Sequence, residues 1–245
     1  MRIEKLAGLT VRIAGGVDRN GSGDGPLVVL LHGYGAPGTD LVGLWREVNV
    51  GEHVRFAFPE APIVLTPGMS EPGRAWWPLD MLRLQQAVMT SDYDTMAEHI
   101  PQGMLEARVQ LSEHLAALSE TLQVPPNGLI LGGFSQGAML SCELAFSTDI
   151  KLGGLAVLSG TLINRHAWLE RLPLRKGLPV LQSHGRSDPI LPFALAERLH
   201  AAMQTAELAV RFIPFNGGHG LSGNVLLGLE GFLLETLVRP STPSP

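Results

Sequence analysis

Seven short apolar runs, at 9–14, 27–32, 54–58, 128–134, 154–159, 179–184 and 208–214, constrain this chain more than any other feature. They are rich in Val, Ile, Leu and Phe, and most are nearly unbroken. That is the pattern of strands buried on both faces of a sheet rather than half-solvated ones. Helical stripes lie between them. Leu111, Leu115, Leu118 and Leu122 recur at helical spacing. So do Leu195, Ala196, Leu199, Ala202 and Met203, and again Leu221, Val225, Leu229, Phe232 and Leu233. Pro192 suits the first turn of the second of these helices. Strands alternating with helices predict an α/β fold with a mostly parallel central sheet and helices on both faces. The chain has 245 residues, 45% of them hydrophobic, enough for one such domain over 1–239, with 240–245 read as a disordered tail. Segment 62–104 is the least regular. It reads as an excursion over one edge of the sheet, with a short helix near 79–89.

Charge narrows the function classes. The formal net charge is −5 and only 17% of residues are charged, which argues against broad binding of nucleic acid or of an anionic membrane. The single cysteine, Cys142, leaves no intramolecular disulfide framework, and it reads as a small buried hydrophobe on the helix after 134. Residues 1–6 lack the apolar run of about 7–15 residues that a signal peptide needs. No stretch reaches the roughly 18 uninterrupted apolar residues of a membrane helix. The expectation is a cytoplasmic protein without stable membrane insertion.

Three motifs imitate functions that their details do not support. Asp18 to Gly25 resembles the start of a calcium loop, but the position that should hold a bidentate Glu is Val29, inside a strand. The segment reads as a turn between strands. Gly33-Tyr34-Gly35-Ala36-Pro37-Gly38 matches a dinucleotide fingerprint, yet Pro37 removes an amide near the expected pyrophosphate cradle. Among the eight histidines no H-E-x-x-H or other metal spacing occurs. His53, His99, His114, His166 and His200 read as surface or capping residues.

The segment that carries chemistry is 128–138. An apolar strand runs into Gly133-Phe134-Ser135-Gln136-Gly137, and a helical stretch follows to about Phe146. In this strand–turn–helix setting, G-x-S-x-G is a nucleophile elbow that lifts the Ser135 hydroxyl above the sheet. Such a serine needs a base and an orienting acid, expected in the chain order Ser, acid, His. Asp188 follows strand 179–184, and His219 lies among glycines after strand 208–214, so Ser135, Asp188 and His219 form the candidate triad. His184 is the second choice of base. The developing oxyanion needs donors: the Gln136 amide, and an amide from the loop after strand 27–32, for which Tyr34 is the candidate.

These motifs resemble the phospholipase/carboxylesterase family of α/β-hydrolases, which includes bacterial carboxylesterases and acyl-protein thioesterases. The matching segments are L-L-H-G-Y-G at 30–35, F-P-E-A-P at 58–62, G-F-S-Q-G-A at 133–138, H-G-R-S-D-P at 184–189 and G-G-H-G at 217–220. The resemblance implies an α/β-hydrolase fold, esterase activity without a cofactor, and the same triad. It departs at Ala75-Trp76-Trp77-Pro78-Leu79-Asp80, where relatives carry a W-F-D-like segment. Trp76 and Trp77 are the candidate substrate-binding residues, since clefts favour aromatic walls. The Met residues at 81, 89, 96 and 104 read as packing. The leading expectation is a serine carboxylesterase acting on short- to medium-chain esters as a monomer or homodimer, with a small-molecule ester as its partner. The alternatives are an acyl-protein thioesterase or lysophospholipase, and, from a different class, a non-catalytic ligand-binding α/β-hydrolase.

Overall fold

Each of the seven apolar runs forms a strand of one eight-stranded sheet. A computed structural model describes residues 1–237. The end of the expected domain and the expected tail, 238–245, lie outside the described residues. In chain order the strands are β1 (Arg2–Leu6), β2 (Leu9–Gly15), β3 (Leu27–Leu31), β4 (Arg55–Pro59), β5 (Ile63–Val64), β6 (Arg74–Ala75), β7 (Leu129–Phe134), β8 (Gly154–Leu158), β9 (Pro179–Gly185) and β10 (Ala209–Phe215). The helices are α1 (Leu44–Glu47), α2 (Met81–Thr90), α3 (Tyr93–Glu98), α4 (Met104–Thr121), α5 (Gln136–Ser147), α6 (Arg165–Arg171), α7 (Phe193–Thr205) and α8 (Gly223–Leu237). The large sheet has the order β1-β2-β4-β3-β7-β8-β9-β10, and β5 and β6 form a separate two-stranded ribbon.

From β4 through β10 the neighbours are parallel, while β1, β2 and β4 pair antiparallel. Parallel strands need covered faces, and two apolar layers supply them. Leu27, Val29 and Leu31 of β3 face the layer containing α4, α5 and α7, whereas Val28 and Leu30 face the layer containing α1 and α8. The predicted helical stripes are the buried ones: Leu111, Leu115 and Leu118 on α4, Leu195, Leu199 and Met203 on α7, Val225, Leu229 and Leu233 on α8. Pro192 stands at the N-cap of α7, immediately before the first turn. No described helix is long and apolar enough to cross a membrane.

The excursion at 62–104 is more ordered than its sequence suggests. It contains the β5–β6 ribbon, then α2 and α3, each capped by an aspartate whose carboxylate accepts from a first-turn amide (Asp80 from Arg83, Asp92 from Thr95). Met96 and Met104 are packed as expected, but Met81 and Met89 are exposed.

The calcium-like segment is a turn. The Asp18 carboxylate accepts from the amides of Asn20 and Ser22, which hold its pKa down at about 2. The carbonyls of Gly23 and Gly25 accept from the guanidinium of buried Arg55, so a cation already occupies their lone pairs.

His114 departs from its surface reading. His114 is fully buried on α4, and its Nδ1 donates to the Leu6 carbonyl of β1 at 2.8 Å. Burial pushes its pKa below 6.5, more strongly than that hydrogen bond raises it. A folded-state pKa below the unfolded value means that the unfolded chain binds the extra proton. Stability is therefore full above pH 6.5 and is lost as pH falls below it. One such group contributes at most about 1.4 kcal/mol per pH unit to the slope. Urea titrations at stepped pH should show a shallower loss of stability below pH 6.5 in His114→Asn, which can place a donor for Leu6 near the Nδ1 position but does not titrate.

Candidate active site

The sharpest backbone feature of the sheet is at its β7 end. Ser135 has φ 55° and ψ −116°, a conformation that L residues rarely adopt and that is held here by its surroundings. Its amide donates to the Leu158 carbonyl and its carbonyl accepts from Met139, so the turn is tied to β8 and to α5. Gly137 allows this geometry, because a Cβ there would lie 2.2 Å from the Leu31 carbonyl oxygen.

The structure brings the three predicted residues together. The Ser135 Oγ lies 2.8 Å from His219 Nε2, and His219 Nδ1 lies 2.6 Å from Asp188 Oδ2. Because Asp188 accepts from Nδ1, Nε2 is left as the lone-pair nitrogen facing the serine hydroxyl. Asp188 is buried, and its other oxygen accepts from the amides of Ile190 and Leu191, both at 2.9 Å. Desolvation would raise its pKa, but the hydrogen bonds from His184, His219 and Leu191 together outweigh that and hold the carboxyl well below the usual range. The Phe134 ring supports the imidazole of His219 at 4.8 Å between centroids. The arrangement can pass a proton from the Ser135 hydroxyl to His219 while Asp188 remains ionised.

The two candidate oxyanion donors are also adjacent to the serine. Gln136 is the first residue of α5, where helix amides have no partner within the helix. The Tyr34 amide has no hydrogen-bond acceptor among the described residues. Its loop is held from several sides. His32 Nδ1 donates to the Gly33 carbonyl and His32 Nε2 accepts from the Ala61 amide. That pair of bonds defines one imidazole tautomer, and burial pushes the His32 pKa down. The Gly35 amide donates to the Arg74 carbonyl, which ties the same loop to β6.

Trp76 and Trp77 do not share one role. Trp77 contributes to the lining of a cleft of about 660 Å³ over the serine, as do Met139, Ile163, Leu191 and Leu195. The substrate-binding expectation for Trp76 is corrected, because this residue is not part of that lining. Its indole N–H donates to the His32 carbonyl, and its ring packs 5.5 Å from the His32 ring. Neighbouring side chains on an irregular segment leave it in different directions, so only one of the pair reaches the cleft. The expectation of a capping or surface role for His99 is also revised, since it lines the same cleft together with Arg83.

Two positioning contacts escaped the sequence reading. The buried Gln136 side chain accepts from the Trp76 amide and donates to the Trp77 carbonyl, both at 2.9 Å. Ser159, at φ 52°, directs its hydroxyl to the Gly220 carbonyl beside His219. The signal for the first was the Gln inside G-F-S-Q-G. For the second it was Ser159-Gly160 at the end of an apolar run.

A nucleophile elbow on a mostly parallel sheet, with an acid after β9 and a histidine after β10, defines the class of α/β-hydrolases. Comparison with known proteins makes the assignment narrower. The phospholipase/carboxylesterase family model matches residues 17–236, and the chain belongs to that family of ester hydrolases of the serine type. It is 26% identical over 233 residues to acyl-protein thioesterase 1 of Neurospora crassa, covering 89% of each chain. It is 30% identical over 210 residues to acyl-protein thioesterase 1 of Emericella nidulans, covering 80% of this chain and 82% of the other. The crystal structure of esterase PE8 superposes with a TM-score of 0.76 at 28% identity, covering 94% of this chain and 99% of the other.

The Gln136 contacts can be tested by stability. Gln136→Leu leaves the Trp76 amide and the Trp77 carbonyl buried without partners, at about 1–3 kcal/mol each. The urea midpoint should fall accordingly without a change in slope.

Proposed function

We propose that the chain hydrolyses carboxylic esters with short to medium acyl chains through an acyl-enzyme on Ser135. The observation that carries this reading is the unbroken hydrogen-bonded line from Ser135 Oγ through His219 to Asp188. In it, His219 Nε2 takes the hydroxyl proton as Oγ attacks the ester carbonyl. The amides of Tyr34 and Gln136 receive the developing oxyanion, each donor being worth about 3–4 kcal/mol to the barrier. His219 then returns the proton to the leaving alcohol. Water repeats the sequence on the acyl-enzyme and frees the acid. The reading keeps the cytoplasm as the site of action and a monomer or homodimer as the working form.

Ser135→Ala should lower kcat at least about 10³-fold with the fold intact by circular dichroism, because only binding and the oxyanion donors remain. Retained activity in that variant, or failure of a serine-directed organophosphonate to label Ser135 in the wild type, would remove the proposal.

A second reading, thioester hydrolysis, is favoured by the acyl-protein thioesterases among the relatives. The same proton route serves both leaving groups, so the acyl part and the leaving atom must be varied separately. A chain-length series run with matched oxygen esters and thioesters does this. Each methylene buried against the apolar lining contributes about 0.8 kcal/mol, close to fourfold in kcat/KM. With Trp77 as the stop, kcat/KM should peak and then fall, and Trp77→Ala should move the peak to longer chains. A steady climb with thioesters ahead of esters would favour the second reading.

A further inference from the structure

The catalytic proposal uses His219 but leaves a second histidine, His184, in contact with the same carboxylate. His184 is the penultimate residue of β9 and fully buried. Its Nε2 lies 2.8 Å from the Leu191 carbonyl and 3.3 Å from Asp188 Oδ2. A carbonyl only accepts, so Nε2 carries a hydrogen, directed mainly at Leu191 and secondarily at the carboxylate. Leu191 is thereby pinned at both ends. Its carbonyl accepts from His184, and its amide donates to Asp188 Oδ1. Asp188 Oδ2 stands between two imidazoles, with His219 Nδ1 at 2.6 Å and His184 Nε2 at 3.3 Å.

A buried polar side chain of this kind carries a desolvation penalty, and the Nδ1 of His184 has no partner among the described residues. A packing role alone would be met better by Leu or Met at the same place. The titratable groups around the ring are Asp188, from its own loop, and His219, from the loop after β10. From α7 it meets the Phe193 ring at 6.1 Å, over which Arg186 sits at 5.0 Å from the centroid. On β10 its register partner is Pro214, which has no charge.

We propose that His184 is a positioning residue for the acid–base pair: shared between Leu191 O and Asp188 Oδ2, its Nε2–H fixes the carboxylate in the orientation that receives His219 Nδ1. This rests on the catalytic reading of Ser135, His219 and Asp188.

The test compares the wild type, His184→Leu and His184→Gln, with functional sites counted by organophosphonate titration so that kcat is expressed per labelled serine. Gln can return an N–H near the Nε2 position. In His184→Leu, kcat per site should fall about ten- to a hundredfold at unchanged KM, the range for losing a hydrogen bond to a charged group. His184→Gln should recover most of the rate. A structural role alone would lower the number of labelled sites and the melting temperature, with kcat per site unchanged in both variants, and that result overturns the proposal. Absence of labelling in the wild type would instead overturn the catalytic reading, so the two failures are distinguishable.

Discussion

The approach of Gly137 to the Leu31 carbonyl oxygen sets the geometry on which the rest of the site depends. A Cβ there would stand 2.2 Å from that oxygen, and one on Gly133 would stand 2.6 Å from it. With both positions bare, the first turn of α5 sits directly against the end of β3. Ser135 is then forced into its φ of 55°. That strain costs of order 1–3 kcal/mol, which the surrounding packing must over-determine. The same approach places the first amide of α5 beside the loop after β3, so one close contact between two backbones aligns the serine and both candidate oxyanion donors.

Buried polar side chains extend that alignment outward. Gln136 holds the backbone at 76–77, Trp76 holds the His32 carbonyl, and His32 holds Gly33 and Ala61. Each uses donors and acceptors that would be costly if left bare in the interior. Glu143, fully buried on α5, plays the corresponding part at the other end of the helix's inner face. Its carboxylate accepts from Arg108 of α4, Asn164 and Trp168 of α6. Asn164 in turn donates its amide to the His99 carbonyl, at the edge of the cleft. A shift of α5 would break bonds to α4, to α6 and to the backbone at 76–77 at once, which explains how a strained turn at its N-terminus stays in place.

Most of the architecture was legible because burial writes itself into sequence as apolar runs, on both faces for β3, β4, β7, β8 and β9 and only in part for the edge strand β10. All seven such runs are strands, within a residue or two of their expected ends. β1 was not, for the converse reason. Arg2-Ile3-Glu4-Lys5-Leu6 lies at the sheet edge with three charged residues, and Ile3 is 61% exposed, so no apolar signal marks it. The chain order of Ser135, Asp188 and His219, each just past a strand end, made the candidate triad readable before any coordinates. The separation of His219 from His184 was readable only by that order, since both follow an apolar run and precede or sit among glycines. The Trp76 error and the missed Gln136 contacts share one cause. They depend on which way side chains leave an irregular segment, and periodicity says nothing about segments that have none.

The two walls of the cleft are held by forces of different size. The wall carrying Ser135, His219 and the candidate oxyanion amides belongs to the sheet and to α5, where backbone ladders and buried polar contacts fix it. The opposite wall is α2 and α3. No residue of α2 is buried; Leu82 is 79% exposed and Met89 86%. α3 is attached through Met96 and Ala97 and through exposed ion pairs, Asp94 with Arg198 at 2.7 Å and Glu98 with Arg165 at 3.0 Å. Pairs of that kind contribute about 0–1 kcal/mol each and weaken with salt. The cleft thus lies between a rigid floor and a lightly anchored roof. Substitutions in the roof cost the fold little, whereas a methyl group added to the floor at Gly137 meets a backbone oxygen that has nowhere to go.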